Sequence, residues 1–427
     1  MEKLLEFKGK KLLVLGGLTL ACDIVKHAQA MGAYVIVADY DENSPAKKIA
    51  DDAVLINALD VDAIVNFCKK EKVDGITTGF VDILLPPCYE ACKRLGLPYY
   101  VTPKMLIMST SKIDFKNTCN EYGVPVPQTY FVGSEITDDI YQAINYPVFV
   151  KPLDGSGSRG AGVCNTREQL DAQFVQAKHF SVSNTVVIED YLTGREFLLN
   201  YVAVNGEYRL ISMFDRYICG DRGSAINYSN LAISPSKAIH QYLNDVNNKV
   251  ISMFKNLGFT DGIFFLQGYA KDDKITFFEM GCRLGGSYYN LERACINIDP
   301  VDMIIRYALT GKMMDKIEDV PVDVANYKKT AICINYLLKG MTATIGSIRG
   351  LKEVKNLPSC ISYEQRHFVG DYYSNERTVD RPVLSLYLVE DSLESARKDV
   401  NYLNSIFEVK DENGESLLMQ KFNLNNF

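Results

Sequence analysis

The sequence has few of the residues and spacings that define a metal or disulfide framework. It contains only four histidines, and none of its eleven cysteines forms a C-x-x-C pair. Neither a histidine-rich metal site nor a zinc framework is therefore expected. An odd number of cysteines without regular spacing indicates reduced thiols, most of them acting as small buried hydrophobic side chains, and so predicts a cytoplasmic protein.

A basic excess and a long apolar run are also missing. The net charge is −7 and the pI is about 5.4, which disfavours a nucleic-acid partner. The run Leu12–Leu20 is interrupted by Gly16 and Gly17 and followed by Asp23, so we do not interpret it as a secretion leader. No other run approaches the roughly 20 apolar residues of a membrane span. The length of 427 residues predicts about two to four domains.

The first hundred residues alternate short apolar runs with amphipathic stretches. This pattern is typical of β-α-β units and predicts a parallel sheet flanked by helices over residues 1–103. Gly16 and Gly17 after the first strand and Asp39 after the second resemble a dinucleotide-binding fold, but the spaced third glycine is missing. We favour a tight strand-to-helix turn here and keep a nicotinamide-dependent oxidoreductase as a distant alternative.

Two further units are predicted beyond residue 103. Residues 104–320 form the second unit, in which the segment from about 125 to 192 is compact enough to be a lid. Single long helices are expected at Lys104–Tyr122, His240–Leu257 and Leu291–Leu309. Residues 321–427 combine strand-like runs with one helix and are predicted to form a separate α+β domain. The whole chain is thus expected to be a multidomain α/β and α+β protein.

One segment joins a strand that ends in Lys151 to a glycine-rich loop, and it is the most informative part of the chain. Glycines let backbone N–H groups approach phosphate oxygens, and Ser156, Ser158 and the Lys151 ammonium add donors and a positive charge. Taken alone, the segment is equally well a flexible hairpin loop. No lysine or helix start follows the last glycine, which favours a flap between two strands over a Walker-type anion site.

A second pair of polar residues lies further along the chain. Glu279 ends a hydrophobic strand and precedes Arg283, and Gln267 lies one strand earlier. If the two strands pair around their short turn, Gln267 lies beside Glu279, and two adjacent oxygen ligands suit Mg²⁺. The structural alternative is a salt bridge between Glu279 and Arg283, with Gln267 capping a turn.

Together these features resemble the ATP-grasp superfamily of carboxylate–amine ligases, whose relatives include biotin carboxylase, carbamoyl-phosphate synthetase halves and L-amino-acid ligases. The resemblance covers nearly the whole chain. It implies an ATP-grasp fold with an N-terminal Rossmann-like domain and a C-terminal α+β domain. The residues that carry it appear in the family order, namely Lys112, Lys151 with its glycine loop, the segment Ile188–Leu192, Glu196, Gln267, Glu279 and Arg283.

The resemblance assigns the nucleotide site residue by residue. It places Lys112 and Lys151 on the phosphates of ATP, and Gln267 and Glu279 on Mg²⁺ or Mn²⁺. Glu196 would hold the ribose hydroxyls, where a carboxylate can accept two O–H bonds. The flap over the phosphates comprises Gly155, Ser156, Gly157, Ser158, Gly160 and Gly162. The adenine hinge comprises Glu189, Asp190 and Leu192, acting largely through backbone groups, with Phe278 or Tyr191 as an apolar wall for the base.

The resemblance also implies the chemistry. A carboxylate attacks the γ-phosphate of ATP to give an acyl phosphate, and an amine then displaces phosphate, so the partners are small-molecule carboxylates and amines, without nucleic acid or membrane. Lys151 and Arg283 are the expected catalytic residues, since cations offset the charge that accumulates between two anions. The region facing the substrates comprises Gly285 and Gly286, and Arg216, Arg222 and Asn227. For Arg216 and Arg222 a solvated surface loop is the alternative.

One departure from the family concerns Gly281, because many relatives place an asparagine there. Either one metal ion is bound less fully or another residue, such as Asn290, supplies the oxygen. A bicarbonate-activating carboxylase or carbamoyl-phosphate-synthetase-like enzyme is the nearest rival function. The segment Gly285–Tyr288 lacks the acid and histidine expected in the biotin carboxylase subgroup. A non-catalytic ATP-binding module is the rival from another class, and the resemblance allows a homodimer.

Overall fold

The computed structural model describes residues 5–154, 159–219, 228–322, 324, 327–374 and 381–422. The first domain is a four-stranded sheet in the order β3-β2-β1-β4, and all its strand pairs are parallel, which confirms the predicted β-α-β organisation. Its elements are β1 (Lys11–Leu15), α1 (Ala21–Ala30), β2 (Tyr34–Asp39), β3 (Asp52–Leu55), α2 (Val61–Glu71), β4 (Gly75–Thr77) and α3 (Leu85–Leu95).

The turn after β1 supports the structural interpretation of its two glycines. Gly16 has a φ of +88°, and a side chain on Gly17 would overlap Ser44. The Gly17 N–H donates to Asp39 Oδ2 at 2.6 Å, and the Asp41 N–H donates to the other carboxylate oxygen at 2.7 Å. The Asp39 carboxylate thus closes a tight turn through backbone groups, which leaves the nicotinamide alternative without support.

A small sheet follows, in the order β5-β8-β6-β7, with antiparallel pairing throughout. It occupies the range predicted for the lid and has its own apolar core, which includes Val148, Leu170 and Ile188. The elements from the end of the first domain to the end of this sheet are α4 (Pro103–Thr110), α5 (Lys112–Glu121), β5 (Thr129–Gly133), α6 (Asp138–Ala143), β6 (Val148–Pro152), β7 (Gly162–Cys164), α7 (Arg167–Phe180) and β8 (Val186–Asp190).

An eight-stranded antiparallel sheet forms the centre of the protein, in the order β13-β12-β9-β10-β11-β14-β18-β16. The elements up to residue 310 are β9 (Arg195–Val204), β10 (Glu207–Cys219), β11 (Tyr228–Ser234), α8 (Ile239–Asp245), α9 (Asn247–Asn256), β12 (Gly262–Lys271), β13 (Lys274–Gly281), α10 (Tyr289–Ile296) and α11 (Pro300–Thr310). Those that follow are β14 (Thr330–Leu337), β15 (Ala343–Arg349), α12 (Leu351–Lys355), β16 (Cys360–Gln365), β17 (Tyr372–Tyr373), β18 (Pro382–Glu390), α13 (Leu393–Ile406) and β19 (Glu408–Asp411).

The C-terminal strands are divided between two sheets: β14, β18 and β16 belong to the large sheet, whereas β17, β15 and β19 form a three-stranded antiparallel sheet of their own. Leu231 of β11 pairs with Ile334 of β14, so the large sheet continues across residue 320. Leu231 also belongs to the same apolar cluster as Ile332, Leu386 and Phe407. The C-terminal region therefore has its own core but shares one sheet with the preceding unit, while the boundary at residue 320 stays a prediction.

Each of the three predicted long helices is interrupted. Ser111 separates α4 from α5, because it is extended (φ −102°, ψ 104°) and its hydroxyl accepts from the Asp114 N–H. Asn297 ends α10 in the left-handed region (φ 59°), and Asp299 caps α11, which starts at Pro300. Serine, asparagine and aspartate favour such caps because their side chains compete for backbone hydrogen bonds. The third break, at Val246, has no side-chain cap.

The expected absence of a disulfide framework is consistent with the structure. All eleven cysteines are free thiols, and only Cys22, Cys295 and Cys360 are partly exposed. Among the described residues, no helix combines the length and the apolar character needed to cross a bilayer.

An ion cluster joins α1 to α11. His27 Nδ1 lies 2.8 Å from Asp302 Oδ1 and 3.5 Å from Asp299 Oδ2, and Arg293 also pairs with Asp299 at 3.3 Å. Burial lowers the pKa of His27, but the hydrogen bond to Asp302 and the charges of both carboxylates outweigh it, against a small opposing effect of Arg293. The pKa of His27 is therefore raised above its usual value.

This shift predicts a pH-dependent contribution to stability. Because the folded pKa exceeds the unfolded one, the contribution of His27 is fully present below pH of about 6.5 and is lost as the pH rises through the folded pKa. The difference in urea midpoint between wild type and His27→Asn should therefore shrink from pH 6 to higher values. His179→Asn, at an exposed position, is the control. A difference that stayed constant or grew with pH would contradict this assignment.

Candidate active site

A buried carboxylate lies between two lysines where the small sheet meets α5. Lys151 Nζ donates to Glu189 Oε1 at 2.5 Å, and Lys116 Nζ donates to Glu189 Oε2. Lys116 also donates to Thr129 Oγ1 at 3.2 Å. Burial raises the pKa of Glu189, but the charges of Lys151 and Lys116 outweigh it, so this pKa is lowered overall. The Glu189 carboxylate is therefore held ionised between two cations.

Strand register and helix periodicity explain this cluster. Glu189 pairs with Phe149 and Val187 pairs with Lys151, so Lys151 and Glu189 are diagonal neighbours on one face of antiparallel strands. Lys116 lies four residues after Lys112 in α5, on the same helix face. Our interpretation of the sequence identified Lys112 but missed Lys116, although the i, i+4 spacing is a usable signal.

Lys112 connects this cluster to the proposed metal ligands. Burial and the neighbouring Lys151 charge lower the pKa of Lys112 to about 8, while Glu279 and Glu189 act in the opposite direction. Lys112 thus lies within electrostatic range of the lysine–glutamate cluster and of Glu279. The fold brings together five residues, Lys112, Lys116, Lys151, Glu189 and Glu279, that the sequence places up to 167 positions apart.

The predicted pairing of Gln267 with Glu279 is confirmed. The two residues lie directly opposite each other on β12 and β13, next to an irregularity in the pairing between Gln267 and Gly268. The strands turn at Asp272 and Asp273, both with positive φ (46° and 57°), which is the geometry of a two-residue hairpin turn. An amide oxygen and a carboxylate are therefore side by side at the sheet surface, a donor set that suits Mg²⁺.

The side chain of Glu279 is exposed to solvent. Many protein atoms nevertheless lie close around its carboxylate. That surrounding protein raises the pKa of Glu279, and Asp82 adds to the increase, whereas Arg283, Lys112 and Lys151 oppose it. We take these two facts together to describe a concave site that solvent can enter. Within this site the Glu279 carboxylate and the Gln267 amide oxygen are the oxygen ligands open to a cation, because the Asp82 carboxylate is paired with Arg283.

Arg283 does not form the salt bridge with Glu279 that we considered as an alternative. Its Nε and Nη2 atoms donate to the two carboxylate oxygens of Asp82, each at 2.6 Å, and Nη1 donates to Leu284 O at 2.8 Å. The guanidinium also stacks 4.9 Å above the Phe265 ring. Asp82 follows β4 in the first domain, so this pair links two domains, and the sequence offered no signal for it.

The Phe265 ring explains why residue 281 is a glycine. A side chain at Gly281 would overlap the Phe265 ring, which is buried and supports Arg283. An asparagine therefore does not fit at this position without displacing the ring. The side-chain oxygen of Asn290, the alternative ligand, accepts from Arg293 Nη2 at 3.3 Å, and its part in metal binding stays a prediction. The described residues thus offer Gln267 and Glu279 for one cation, and the number of ions stays a prediction.

Gly281→Asn is accordingly expected to reduce stability rather than to restore a metal ligand. Overpacking a well-packed core costs about 1–3 kcal/mol, and we expect a loss in this range in urea unfolding. The double variant Gly281→Asn/Phe265→Leu should recover part of that loss, because a smaller side chain makes room. If the single variant were as stable as wild type, the proposed steric role of Phe265 would be wrong.

Glu196, predicted to hold the ribose, already has two partners. Arg216 Nη1 donates to its Oε1 at 2.6 Å, and the Tyr269 hydroxyl donates to its Oε2 at 3.1 Å. Burial lowers the pKa of Arg216, but Glu196 and other groups, among them Glu279, outweigh this and raise it. Arg216 is part of β10, so the alternative that it lies in a solvated surface loop is wrong. Arg222 and Asn227 lie outside the described residues.

The hinge after β8 is held by hydrogen bonds of Asp190, and the adenine-binding role of Glu189, Asp190 and Leu192 stays a prediction. The Asp190 carboxylate accepts from the Tyr130 hydroxyl at 2.8 Å and the Gln128 N–H at 3.1 Å, while the Asp190 N–H donates to Gln128 O at 2.9 Å. Asp190 thus joins the chain before β5 to β8. Phe278 lies on β13 with its ring 5.6 Å from that of Tyr269.

The two ends of the glycine loop are anchored. Asp154 accepts from the Ser181 hydroxyl at 2.8 Å and from the Ser183 N–H at 2.7 Å; these bonds outweigh burial and lower its pKa to about 2. At the other end, Gly160 O accepts from Gln173 Nε2 at 2.9 Å, and Gly160 has a φ of +71°. Of the predicted flap, Gly160 and Gly162 lie within the described residues, and Gly155, Ser156, Gly157 and Ser158 lie outside them.

A buried polar network supports the segment after Arg283, and our reasoning from the sequence missed it. Glu292 Oε1 accepts from the Ser212 hydroxyl at 2.5 Å and from Asn200 Nδ2 at 2.9 Å. Burial raises the pKa of Glu292 to about 7, although both hydrogen bonds oppose the rise. A side chain at Gly285 would approach Asn200 Oδ1 to 2.6 Å, so this position requires glycine. Gly286 follows with a φ of +109°.

Comparison with known families defines the class of protein. Residues 111–311 match the carbamoyl-phosphate synthase L chain ATP-binding domain, and residues 9–120 match the ribonucleotide synthetase preATP-grasp domain. The two matches together span residues 9–311 and agree with the ATP-grasp resemblance and with an ATP-dependent ligase. The fold expectation is thereby confirmed, with a preATP-grasp domain preceding the ATP-grasp domain.

Individual relatives are distant. Formate-dependent phosphoribosylglycinamide formyltransferase of Wolinella succinogenes is 23% identical over 277 residues, which are 64% of this chain and 70% of that protein. The enzyme of that name from Sulfurisphaera tokodaii is 29% identical over 192 residues, 44% of this chain, and the match spans about half (48%) of its length. An L-amino acid ligase structure from Bacillus licheniformis superposes with a TM-score of 0.77 at 18% identity, covering 95% of this chain and 99% of that one.

A second structural neighbour leads to the same fold. N5-carboxyaminoimidazole ribonucleotide synthetase from Thermotoga maritima has a TM-score of 0.68 at 20% identity, covering 94% of this chain and 100% of that one. At these identities the structural likeness establishes the fold alone. The substrates of this chain have to be argued from its own residues.

Proposed function

We propose that this chain uses ATP and Mg²⁺ to activate a carboxylate as an acyl phosphate and then couples it to an amine, either an amino acid or another small metabolite. The observation that carries this proposal is the direct pairing of Gln267 with Glu279. A nucleotide-binding module without turnover needs cations for the phosphates but does not need a paired amide and carboxylate beside them. Both ligand types are hard oxygen donors, which Mg²⁺ prefers.

The positively charged side chains of the site can balance the negative charge of the ATP phosphates and the substrate carboxylate. Lys112, Lys151 and Lys116 lie around Glu189, and Arg283 is held by Asp82. In our proposal Lys112 and Lys151 bind the phosphate groups, and Arg283 orients the substrate carboxylate through the N–H groups of Nη1 and Nη2 that do not bind Asp82 or Leu284. Mg²⁺, when bound by Gln267 and Glu279, would neutralise phosphate charge.

The proposed reaction has two steps. A carboxylate oxygen attacks the γ-phosphorus of ATP and ADP leaves, which produces the acyl phosphate. The amine nitrogen then attacks the acyl carbon, the C–O bond to phosphate breaks, and the nitrogen loses a proton as the amide forms. The flap predicted over the phosphates, part of which lies outside the described residues, has the expected role of excluding water, which would otherwise hydrolyse the acyl phosphate.

The relatives favour a carboxylate substrate but not a particular one. Two of them are formate-dependent by name, and a structural neighbour is an amino acid ligase by name. Bicarbonate remains the rival carboxylate, yet no histidine lies in the segment Gly285–Tyr288 that follows Arg283. We also propose that the protein acts in the cytoplasm, because its eleven cysteines are free thiols. A homodimer is proposed as well, because the family resemblance allows it.

A phosphate-release screen tests this function. The protein is incubated with ATP, Mg²⁺ and pooled carboxylates, including formate, amino acids and bicarbonate, each with and without pooled amines. We expect phosphate release that requires one carboxylate pool and one amine pool together. Release with bicarbonate alone would favour the carboxylase alternative, and ATP binding without stimulation by any pool would favour the inert module.

A further inference from the structure

We propose that a cavity between α1, α10 and the C-terminal strands is the subsite for the amine substrate, and that this substrate carries both an ammonium and a carboxylate group, as an amino acid does. The inference rests on the proposed ligase function and names its second substrate. The cavity has a volume of about 220 Å³. Its polar lining includes Asp23, Lys26, Ser287, Asn290, Glu364 and Tyr387.

The position of the cavity relates it to the proposed reaction centre. Ser287 and Asn290, on its wall, follow Arg283 by four and seven residues, directly beyond the Gly285–Gly286 turn. Strand register links the cavity to the Glu196–Arg216 pair: Arg216 pairs with Ala232, Ala232 pairs with Cys333 of β14, and Cys333 pairs with Tyr387, which lines the cavity. The cavity and the Glu196–Arg216 pair are therefore close neighbours on two sides of β14.

The charges of the lining are of both signs. Asp23 Oδ1 lies 3.6 Å from Lys26 Nζ, and the Tyr289 hydroxyl donates to Asp23. Glu364 accepts from Arg366 Nε at 3.2 Å and from Nη2 at 3.1 Å. The wall thus presents two carboxylates and one ammonium. An ammonium group of a ligand would meet Asp23 and Glu364, and a carboxylate would meet Lys26.

The carboxylates of Asp23 and Glu364 both line the cavity near Cys22. Burial raises the pKa of the Cys22 thiol, which lines the cavity, and both Asp23 and Glu364 raise it further, whereas Lys26 lowers it. Asp23 comes from the first domain and Glu364 from β16, so the negative pole of the cavity is assembled from opposite ends of the chain. Ser287, Tyr387 and Asn290 add uncharged polar groups.

Size and charge exclude a phosphorylated amine from this proposal. A phosphate monoester carries a charge of about −1.5 to −2 near neutral pH, and in the described lining it would face the carboxylates of Asp23 and Glu364 and the ammonium of Lys26, while Arg366 is already paired with Glu364. The volume is also below the roughly 300–1,000 Å³ of pockets for drug-sized ligands. An unphosphorylated molecule of amino-acid size with charges of both signs fits the lining better.

Protection of Cys22 from alkylation tests the proposal without requiring turnover. The whole protein is treated with iodoacetamide in the absence of ATP, and modification of Cys22 and Cys360, both partly exposed, is followed by mass spectrometry. A pool of proteinogenic L-amino acids should slow alkylation of Cys22 by about tenfold at roughly ten times the dissociation constant, because only unoccupied protein reacts. Cys360 does not line the cavity and is the internal control.

Charge variants sharpen the test. Glu364→Gln and Lys26→Gln should each weaken protection by the amino acid pool by roughly tenfold, since each removes one charge-assisted contact. Glu394→Gln, on the exposed surface of α13, should leave it unchanged. Unaltered Cys360 reactivity reports that each variant is folded.

The outcomes separate this inference from the proposed function. Slower alkylation of Cys22 with amino acids but not with ribose 5-phosphate supports the subsite, whether or not phosphate release is observed. No protection by the amino acid pool, or stronger protection by ribose 5-phosphate, overturns it even if the protein is an active ligase. Protection that survives both charge variants also overturns it. Failure of every pool in the phosphate-release screen would instead contradict the ligase function.

Discussion

Glu279→Gln is expected to reduce ATP-dependent product formation by roughly 10² to 10³-fold, the usual cost of removing one preorganised electrostatic group. The change keeps the shape and hydrogen-bonding capacity of the side chain but removes the negative charge beside Gln267. Without that charge the site would bind Mg²⁺ weakly, since both remaining oxygens belong to amides. The loss should be partly recovered at high Mg²⁺ concentration, as measured by phosphate release in a magnesium titration.

The hairpin that carries Glu279 offers a matched control. Asp272→Asn, at the exposed turn between β12 and β13, removes a charge from the same hairpin and should leave turnover unchanged. Full activity of Glu279→Gln would show that this carboxylate does not bind the metal. Equal losses in both variants would indicate a structural effect on the hairpin and would equally contradict the assignment.

Glu189→Gln is expected to lower the free energy of unfolding by about 3–5 kcal/mol, because breaking a buried ion pair leaves uncompensated charge. The Glu189 side chain is only 5% exposed, and it faces Lys116 (6%) and Lys151 (11%). Removing its charge leaves two ammonium groups without their carboxylate partner. Urea unfolding of the variant and wild type at the same pH measures the effect.

A double variant separates charge from packing in this cluster. Lys116→Met in the Glu189→Gln background removes one of the two uncompensated charges and should recover a measurable part of the loss. The Lys116→Met substitution alone should also cost stability, because Glu189 then keeps only Lys151. If the two losses were simply additive, with no recovery in the double variant, the proposed charge cluster would not be the cause.

Local rules explain which parts of the site were predictable. Gln267 and Glu279 were placed side by side because a short turn sets the register of a hairpin, and that rule needs only neighbouring sequence. The breaks at Ser111 and Asn297 were missed, although the capping residues that cause them are local signals too. Lys116 had a similar local signal in its spacing from Lys112.

Tertiary contacts account for what the sequence did not reveal. Asp82 meets Arg283 across 201 positions, and no pattern near either residue specifies the other. The pairing of β11 with β14 is likewise a choice among several apolar strands, so the continuity of the large sheet was not predictable. The function of Glu196 was expected from family order, but its pair with Arg216 required the register of β9 and β10.

Transfer of labelled oxygen tests the central claim most directly, that a carboxylate is activated as an acyl phosphate. The carboxylate pool that supports phosphate release is supplied with heavy oxygen in its carboxyl group, together with ATP, Mg²⁺ and the amine pool. The proposed reaction predicts that the released inorganic phosphate contains heavy oxygen derived from the carboxylate, because the C–O bond breaks when the amine attacks. Phosphate without the label, at undiminished amide formation, would contradict the acyl phosphate and with it the proposed mechanism.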